Sequence, residues 1–518
     1  MNEQIAAALQ LLPGYLAAHV LLSAAALALG VALGLPLALI AARKPKLRWP
    51  ILAVANLVQT IPGLALLALF YPLLLGLAPL ALWLFGVNLP ALGFLPSLLA
   101  LTLYSMLPIL RNGIAGLTGV DPAVLEAADG VGMMPRQRLV RVEAPLAAPV
   151  VMAGIRTAAV WTIGAATLST TVGQTSLGNF IFSGLQTENW IYVLVGCIAA
   201  ALLAMIVDQL LGLIEIAAAR RDVRRLAIGL IAIVAGTGLA LTPLFASKPK
   251  SYVIGAKNFG EQFILGELIA QRLDRQGAAA ERKYGLGSAI VFRALAGGDI
   301  DVYVDYTGTL WTNVLNRQDR PPRDVMLREL TRELRERFGI TLIGALGFEN
   351  AYALAMRRER AAALGVRTIA DLAAQASQLS LGTDLEFLSR PEWEGLRNAY
   401  GLAFRGQRAF SPTFMYRALE SRDVDVITAF SSDGRIAALD LVLLEDPKGA
   451  IPSYDAVLLV TSRRRNDALL DRALKPLVGA IPVERMREAN LMVDRDQDKL
   501  LPAEAARALV EVLKLPDH

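Results

Sequence analysis

Few side chains in this 518-residue chain can make or break bonds. Cys197, His19 and His518 are the whole complement of cysteine and histidine, which excludes a disulfide framework within the chain and gives no basis for a Cys/His metal site or a Cys–His nucleophile. No Gly-Lys pair occurs, so a phosphate-cradling P-loop is absent, and Gly285-Leu286-Gly287 lacks the third glycine of a dinucleotide fingerprint. No nucleophile, base and orienting group can be assembled from the sequence. Two patterns remain. One is a set of cationic and aromatic residues in the second half: Lys257, Tyr306-Thr307-Gly308-Thr309 and Phe430-Ser431-Ser432-Asp433-Gly434. Such groups suit the holding of a small molecule. The other is a spaced motif, Glu126-Ala127-Ala128, then Gly132, then Val142-Glu143-Ala144-Pro145. Its small alanines permit close approach, and its glycine permits a turn between two short helices.

The elements that must position these groups divide the chain in two. Hydrophobic residues make up 55% of it, too many for an ordinary soluble protein of this length. Residues 1–246 carry 13 Lys/Arg and 9 Asp/Glu, whereas 247–518 carry 38 and 37, so the first half reads as membrane and the second as soluble. The net charge of +5 is too evenly spread to suggest a nucleic-acid surface. Runs long enough to cross about 30 Å of hydrocarbon fall at roughly 17–42, 51–77, 93–117, 145–171, 190–214 and 226–246. Arg43, Lys44, Lys46 and Arg48 follow the first, Arg136, Arg138 and Arg141 the third, and Arg220, Arg221, Arg224 and Arg225 the fifth. Residues 1–16, 78–92 and 172–189 contain no Lys or Arg, which places the amino terminus outside and the basic loops in the cytoplasm. Pro62-Gly63, Pro72, Pro96, Pro108, Gly154 and Gly164 interrupt the spans and read first as helix-packing positions. Asp208, near the cytoplasmic end of the fifth span, is expected to pair or snorkel. Four arginines, the apolar stretch 226–241 and Leu244-Phe245-Ala246 have the layout of a secretory signal in mid-chain, read here as a retained anchor, with a cleaved signal as the alternative.

After a short polar linker at 247–251, strands are expected at 252–256, 300–304, 340–344, 351–356, 379–382, 424–429 and 455–461, with helices between. That alternation predicts two α/β lobes with mainly parallel sheets. Ligands of such folds bind beyond the carboxyl ends of strands, where Lys257, Tyr306 to Thr309 and Phe430 to Gly434 converge.

The spaced motif resembles the EAA loop of ATP-binding-cassette importer permeases, with every fixed spacing kept and Val142 and Ala144 departing from the usual Ile and Leu. The resemblance implies a cytoplasmic coupling helix, with Glu126, Ala127, Ala128, Gly132 and Pro145 as its marker positions, docking on a separate ATPase. Residues 252–518 resemble the binding proteins of osmoprotectant importers for glycine betaine, choline and carnitine, through Lys257-Asn258-Phe259-Gly260-Glu261-Gln262, Asp301 to Thr309 and Ala429 to Ile436. This implies an aromatic box for a quaternary ammonium at Tyr306, Tyr352, Phe430 and Tyr454, Asn350 near the cation, and Lys257, Thr309 and Arg390 on the ligand carboxylate. Phe430 stands where relatives often have tyrosine.

The expected architecture is an all-α transmembrane permease followed by a two-lobed α/β periplasmic-binding-protein domain of type II. Residues 1–219 would form five helices with a coupling loop at about 119–145, residues 220–251 a sixth helix and linker, and 252–518 the binding domain. Its lobes would be 252–350 with 455–518, and 351–454. The expected function is a fused permease and receptor subunit of an importer for quaternary amines such as glycine betaine, choline, carnitine or ergothioneine, in the bacterial inner membrane. It would be a homodimer with two ATPase subunits, which would hold ATP and Mg; no cofactor, metal or nucleic acid is expected on this chain. The alternative is a ligand-gated channel or sensor, against which the EAA loop argues.

Overall fold

The computed structural model describes residues 2–86, 89–187, 189–220, 222–245, 251–495 and 498–515. The chain divides into two compact units, Met1–Gly184 with Trp190–Ser247, and Leu185–Asn189 with Lys248–His518. The linker expected at 247–251 lies outside the described residues, apart from Ser251, which opens the first strand.

Six helices of the first unit are long and apolar enough to cross a membrane: Gln4–Arg43, Gly63–Phe85, Phe94–Thr118, Pro135–Val172, Trp190–Ala217 and Val223–Thr242. The second differs from the expected 51–77. Ile61 is extended (φ −73°, ψ 125°), because the residue before proline is disfavoured in the helical region, so the run splits into α2 (Pro45–Thr60) and α3 (Gly63–Phe85). The first helix, α1 (Asn2–Arg43), also takes in the residues expected as an exported tail. α4 (Phe94–Thr118) packs on α1 and on α7 (Ala144–Ala166) through small residues. A Cβ on Gly113 would stand 2.7 Å from Ala38 Cβ, and one on Gly154 2.7 Å from Pro108 O. Between α4 and α7 lie α5 (Pro122–Gly130), α6 (Pro135–Arg138) and a π-helical turn, Leu139–Glu143. The helices are completed by α8 (Gly178–Gln186), α9 (Trp190–Arg220) and α10 (Val223–Phe245). Asp208 on α9 pairs as expected: Arg156 of α7 grips both its oxygens at 2.9 Å and reaches Glu215 at 3.0 Å.

The second unit holds two five-stranded sheets. The first runs β2-β1-β3-β10-β4, from β1 (Ser251–Lys257), β2 (Ala279–Leu286), β3 (Val302–Tyr306), β4 (Thr341–Glu349) and β10 (Asp455–Val460). The second runs β7-β6-β8-β5-β9, from β5 (Tyr352–Arg357), β6 (Ser380–Asp384), β7 (Gly406–Phe410), β8 (Val426–Phe430) and β9 (Leu441–Leu443). The sheets are mixed rather than mainly parallel. β1 is parallel to β2 and β3, and β6 to β7 and β8, but β10 is antiparallel to β3 and β4, and β5 to β8 and β9. The antiparallel pairs involve the strands by which the chain changes sheet, β4 to β5 through Asn350-Ala351 and back at β10, where no helical crossover enforces parallel entry. Strands β2 and β7 escaped the sequence reading because each lies at a sheet edge with few buried apolar residues, and β9 because its Leu-Val-Leu run is only three residues long.

Candidate functional site

Four strand ends and a strand-to-strand link deliver the binding residues. β1 ends on Lys257 and leads through Asn258-Phe259 into α11 (Gly260–Arg275), whose first turn carries Glu261. β3 ends on Tyr306, and the next turn carries Thr309, which is buried. Asn350 links β4 to β5, β5 begins at Tyr352, β8 ends on Phe430, and Tyr454 precedes β10.

Glu261 is the centre of a polar cluster that the sequence reading did not assign. Its Oε1 accepts from the Tyr306 hydroxyl at 2.6 Å and from Asn350 Nδ2 at 2.9 Å; its Oε2 accepts from the Ser432 hydroxyl and from Asn490 Nδ2 at 2.9 Å. Burial pushes the Glu261 carboxyl up, and the four donors oppose that shift. The amino-terminal end of α11 also favours a carboxylate at this position. The Tyr306, Tyr352 and Tyr454 phenols are pushed well above their usual range by burial, so they are neutral donors at physiological pH.

The expected box residues come together. The Tyr352 ring lies 5.0 Å from Phe430, 5.9 Å from Tyr454 and 4.9 Å from Phe387. Phe259, unassigned from sequence, joins Tyr306 to the group, with centroids 6.2 Å from Tyr306 and 6.5 Å from Phe430. The Arg390 guanidinium sits 5.2 Å over the Tyr352 ring, 3.1 Å from Glu392 Oε1 and 3.5 Å from the Tyr454 hydroxyl, which itself donates to Glu392. Burial alone would raise the Glu392 carboxyl; Arg390 and Tyr454 outweigh it and hold the group below its usual range. Lys257 is placed differently from the other expected contacts. Its ammonium lies 5.2 Å over the Tyr306 ring but is bonded to Asp305, which also accepts from the Tyr303 hydroxyl and the Tyr306 amide. Both cations expected on a ligand carboxylate therefore carry an internal carboxylate partner. Glu261, Glu392 and Asn490 could have been suspected only as polar residues within otherwise apolar helical faces.

In the permease, Asp121 caps α5 by accepting from the Ala123 amide at 2.9 Å. Glu126 and Ala127 are exposed on that helix and Ala128 is buried. Gly132 makes the turn with φ +77°, a conformation that favours glycine, and Pro145 opens α7. Glu143 is buried and accepts from Arg138 Nε at 2.9 Å and from Arg43 at 2.5 Å, while Arg138 also holds Asp129. These ion pairs tie the loop to the cytoplasmic end of α1, and nothing in the spacing of the motif announced them.

Comparison with known proteins gives two family matches. Residues 250–511 match the substrate binding domain of ABC-type glycine betaine transport systems, and residues 34–219 the inner membrane component of binding-protein-dependent transport systems. The ergothioneine transport permease/ergothioneine binding protein EgtU of Helicobacter pylori (strain G27) is 31% identical over 469 residues, covering 87% of this chain and 81% of that protein. The choline transport system permease protein OpuBB of Bacillus subtilis (strain 168) is 40% identical over 197 residues, 38% of this chain and 83% of its own. A crystal structure of a glycine betaine/carnitine/choline ABC transporter aligns at 27% identity and TM-score 0.45, over 50% of this chain and 98% of its own. The chain belongs to the ATP-binding-cassette importers in which an inner-membrane permease and a substrate-binding domain of the glycine betaine type are joined in one polypeptide.

Proposed function

We propose that this subunit imports trimethylammonium compounds, with Tyr306, Tyr352, Phe430 and Tyr454 around the cation, Asn350 near it, and Arg390 and Thr309 contacting the ligand carboxylate. The observation that carries this reading is the convergence of those rings at the ends of β3, β8 and the β4–β5 link. A quaternary ammonium donates no N–H hydrogen bond, so ring faces in a desolvated site are the recognition available to it. The phenol groups of Tyr306 and Tyr454 are occupied by Glu261 and Glu392, which fixes the ring planes and leaves their faces for a cation. Tyr352 and Tyr306 already stand within cation–π distance of Arg390 and Lys257. Lys257 and Arg390 are each bonded to an internal carboxylate, Asp305 and Glu392, and Arg390, with five N–H donors to the lysine's three, has more left over for a ligand carboxylate. The relatives named for ergothioneine, choline and carnitine point to ligands that all carry a trimethylammonium group.

The protein is a multi-pass inner-membrane transport subunit whose binding domain is of the kind that faces the periplasm, and ATP is hydrolysed by a separate ATPase. Two copies of the chain would assemble with two ATPases that bind ATP and Mg, each docking on an α5 that leaves Glu126 and Ala127 exposed. Titration calorimetry of the full-length protein in detergent tests the substrate class. At least one of ergothioneine, glycine betaine, carnitine and choline should bind, and a neutral isostere of that ligand with a tert-butyl group in place of trimethylammonium should lose at least tenfold. Equal binding of the isostere overturns the cation site. Native mass spectrometry of the co-expressed complex should give two chains with two ATPases.

A further inference from the structure

The first helix is fastened to α7 near both ends of its crossing. Towards the outer end, His19 of α1 donates from Nε2 to Ile163 O of α7 at 3.0 Å and accepts from the Leu177 amide on Nδ1 at 3.3 Å. Ile163 O is open to this bond because the Thr167 amide turns to Gly164 O as the helix tightens into a 3-10 segment, Thr167–Val172. At the cytoplasmic end, Arg43 in the last turn of α1 reaches Glu143, the residue that precedes α7. Glu143 is 3% exposed and is the one buried residue between Asp129 and Leu146, a stretch in which Val131, Met134 and Val140 are exposed. Apolar residues outward and a carboxylate inward invert the usual arrangement. The turn that carries Glu143 is π-helical, a widened form that is rare and recurs at functional sites. From Glu143 the contacts continue through Arg138 of α6 to Asp129 of α5, the helix that carries Glu126-Ala127-Ala128.

We propose that Arg43 and Glu143 are positioning residues of the transport cycle: with His19 they clamp α1 to α7 at both ends, so that displacement of the coupling loop by the ATPase is carried by the two helices together to the outer turn at Leu177. The inference rests on the reading of 119–145 as the coupling loop and adds the route by which movement leaves it. α7 follows the loop because the chain runs from one into the other. No stretch of chain joins α1 to the loop, and its close contact with α4, Ala38 against Gly113, is one of small flat surfaces that permit approach without interlocking. A hydrogen-bonded ion pair on a buried carboxylate has a direction and a cost of separation that such a surface lacks, since pulling Arg43 away leaves Glu143 with Arg138 alone.

The test reconstitutes the full chain with its ATPase in proteoliposomes and reads ATP hydrolysis beside uptake of an equimolar mixture of ergothioneine, glycine betaine, carnitine and choline, quantified by mass spectrometry. Arg43→Gln cuts the link to α1 and leaves Asp129, Arg138 and Glu143 joined; Arg43 is partly exposed, so the fold survives the change. Uptake per ATP hydrolysed should fall about tenfold, with hydrolysis within about twofold of the unaltered chain. Arg43 meets Glu143 through a single nitrogen, so Arg43→Lys, which keeps the charge, should restore most of the ratio. A merely structural residue would lower both rates in proportion, and that result, or an unchanged ratio, overturns the clamp. Gly132→Val run in parallel separates the two readings: normal uptake there overturns the coupling loop and the clamp with it, whereas lost uptake there beside an unaffected Arg43→Gln overturns the clamp alone. If the unaltered chain imports none of the four compounds, labelling of Thr175→Cys by an impermeant maleimide, in a Cys197→Ser background, takes the place of uptake. Its rate should change about threefold between ATP and ATP with vanadate, and Arg43→Gln should lose that change. An equal response in the two chains, or none in either, overturns the clamp.

Discussion

The permease and the binding domain handle polar groups and packing in opposite ways. In the permease, helices approach through glycine and alanine, and the ion pairs keep part of their charge accessible: the side chains of Arg43 and Arg156 are 40% and 31% exposed. In the binding domain the core is filled by large side chains such as Tyr252, Tyr303 and Trp311, and carboxylates such as Glu261 and Asp305 are buried with every oxygen bonded. The difference follows from solvent. Lipid gives helices no hydrophobic gain for associating, so close fit decides, whereas a domain in water folds by burying large apolar surface. It also follows from task. A loop that docks on a partner must keep groups within reach, and a site that selects one small molecule must fix its donors and acceptors beforehand.

The largest effect is expected at Gly132. Its φ of +77° is strained for a β-branched residue, so Gly132→Val should remove uptake to background in cells or proteoliposomes while ligand binding stays within about twofold. Normal uptake by a well-expressed variant would show that this loop does not couple the permease to the ATPase. Next in size is close packing. Gly154→Ala places a methyl against Asn112 Cβ and Pro108 O and should cost about 1–3 kcal/mol of stability in detergent melts, whereas Gly164→Ala, with nothing within 4 Å of its Cβ, should melt as the wild type does. Equal melting of the two would mean that close fit does not hold the permease together.

In the binding domain, Tyr454→Ala removes a ring face and the hydroxyl on Glu392, and should weaken every trimethylammonium ligand by about 1–2 kcal/mol. Arg390→Ala should penalise betaine more than choline, which has no carboxylate to leave unpaired; calorimetry with both ligands separates the two ends of the site. The smallest effect is expected at Asp208→Asn. Arg156 keeps Glu215 at 3.0 Å, so the guanidinium retains a carboxylate partner and the melting temperature of the full-length protein should move only slightly. A large shift would show that the permease depends on its charges as the binding domain does.

Much of this molecule could be read from short stretches of sequence. Six spans, the cytoplasmic basic loops, the 126–145 motif and the strand ends that carry Tyr306 and Phe430 depend on composition and period within a few turns or residues, and local pattern is where sequence speaks most directly. Pro62 was visible too, but whether a proline kinks a span or ends it depends on what satisfies the freed backbone, and here Ile61 turns extended and the helix stops. Edge strands β2 and β7 carry little pattern because a half-exposed strand has little apolar surface to declare, and β9 is too short to show a period. The site itself was decided by tertiary structure. Glu261 draws its donors from residues 45, 89, 171 and 229 positions away, and Lys257 is held by Asp305, 48 positions away. Sequence named the types of residue that could hold a cation and a carboxylate. Which of them are already committed to a partner depends on contacts between distant segments that no local spacing encodes, because a buried charge takes its partner from whatever the fold brings beside it.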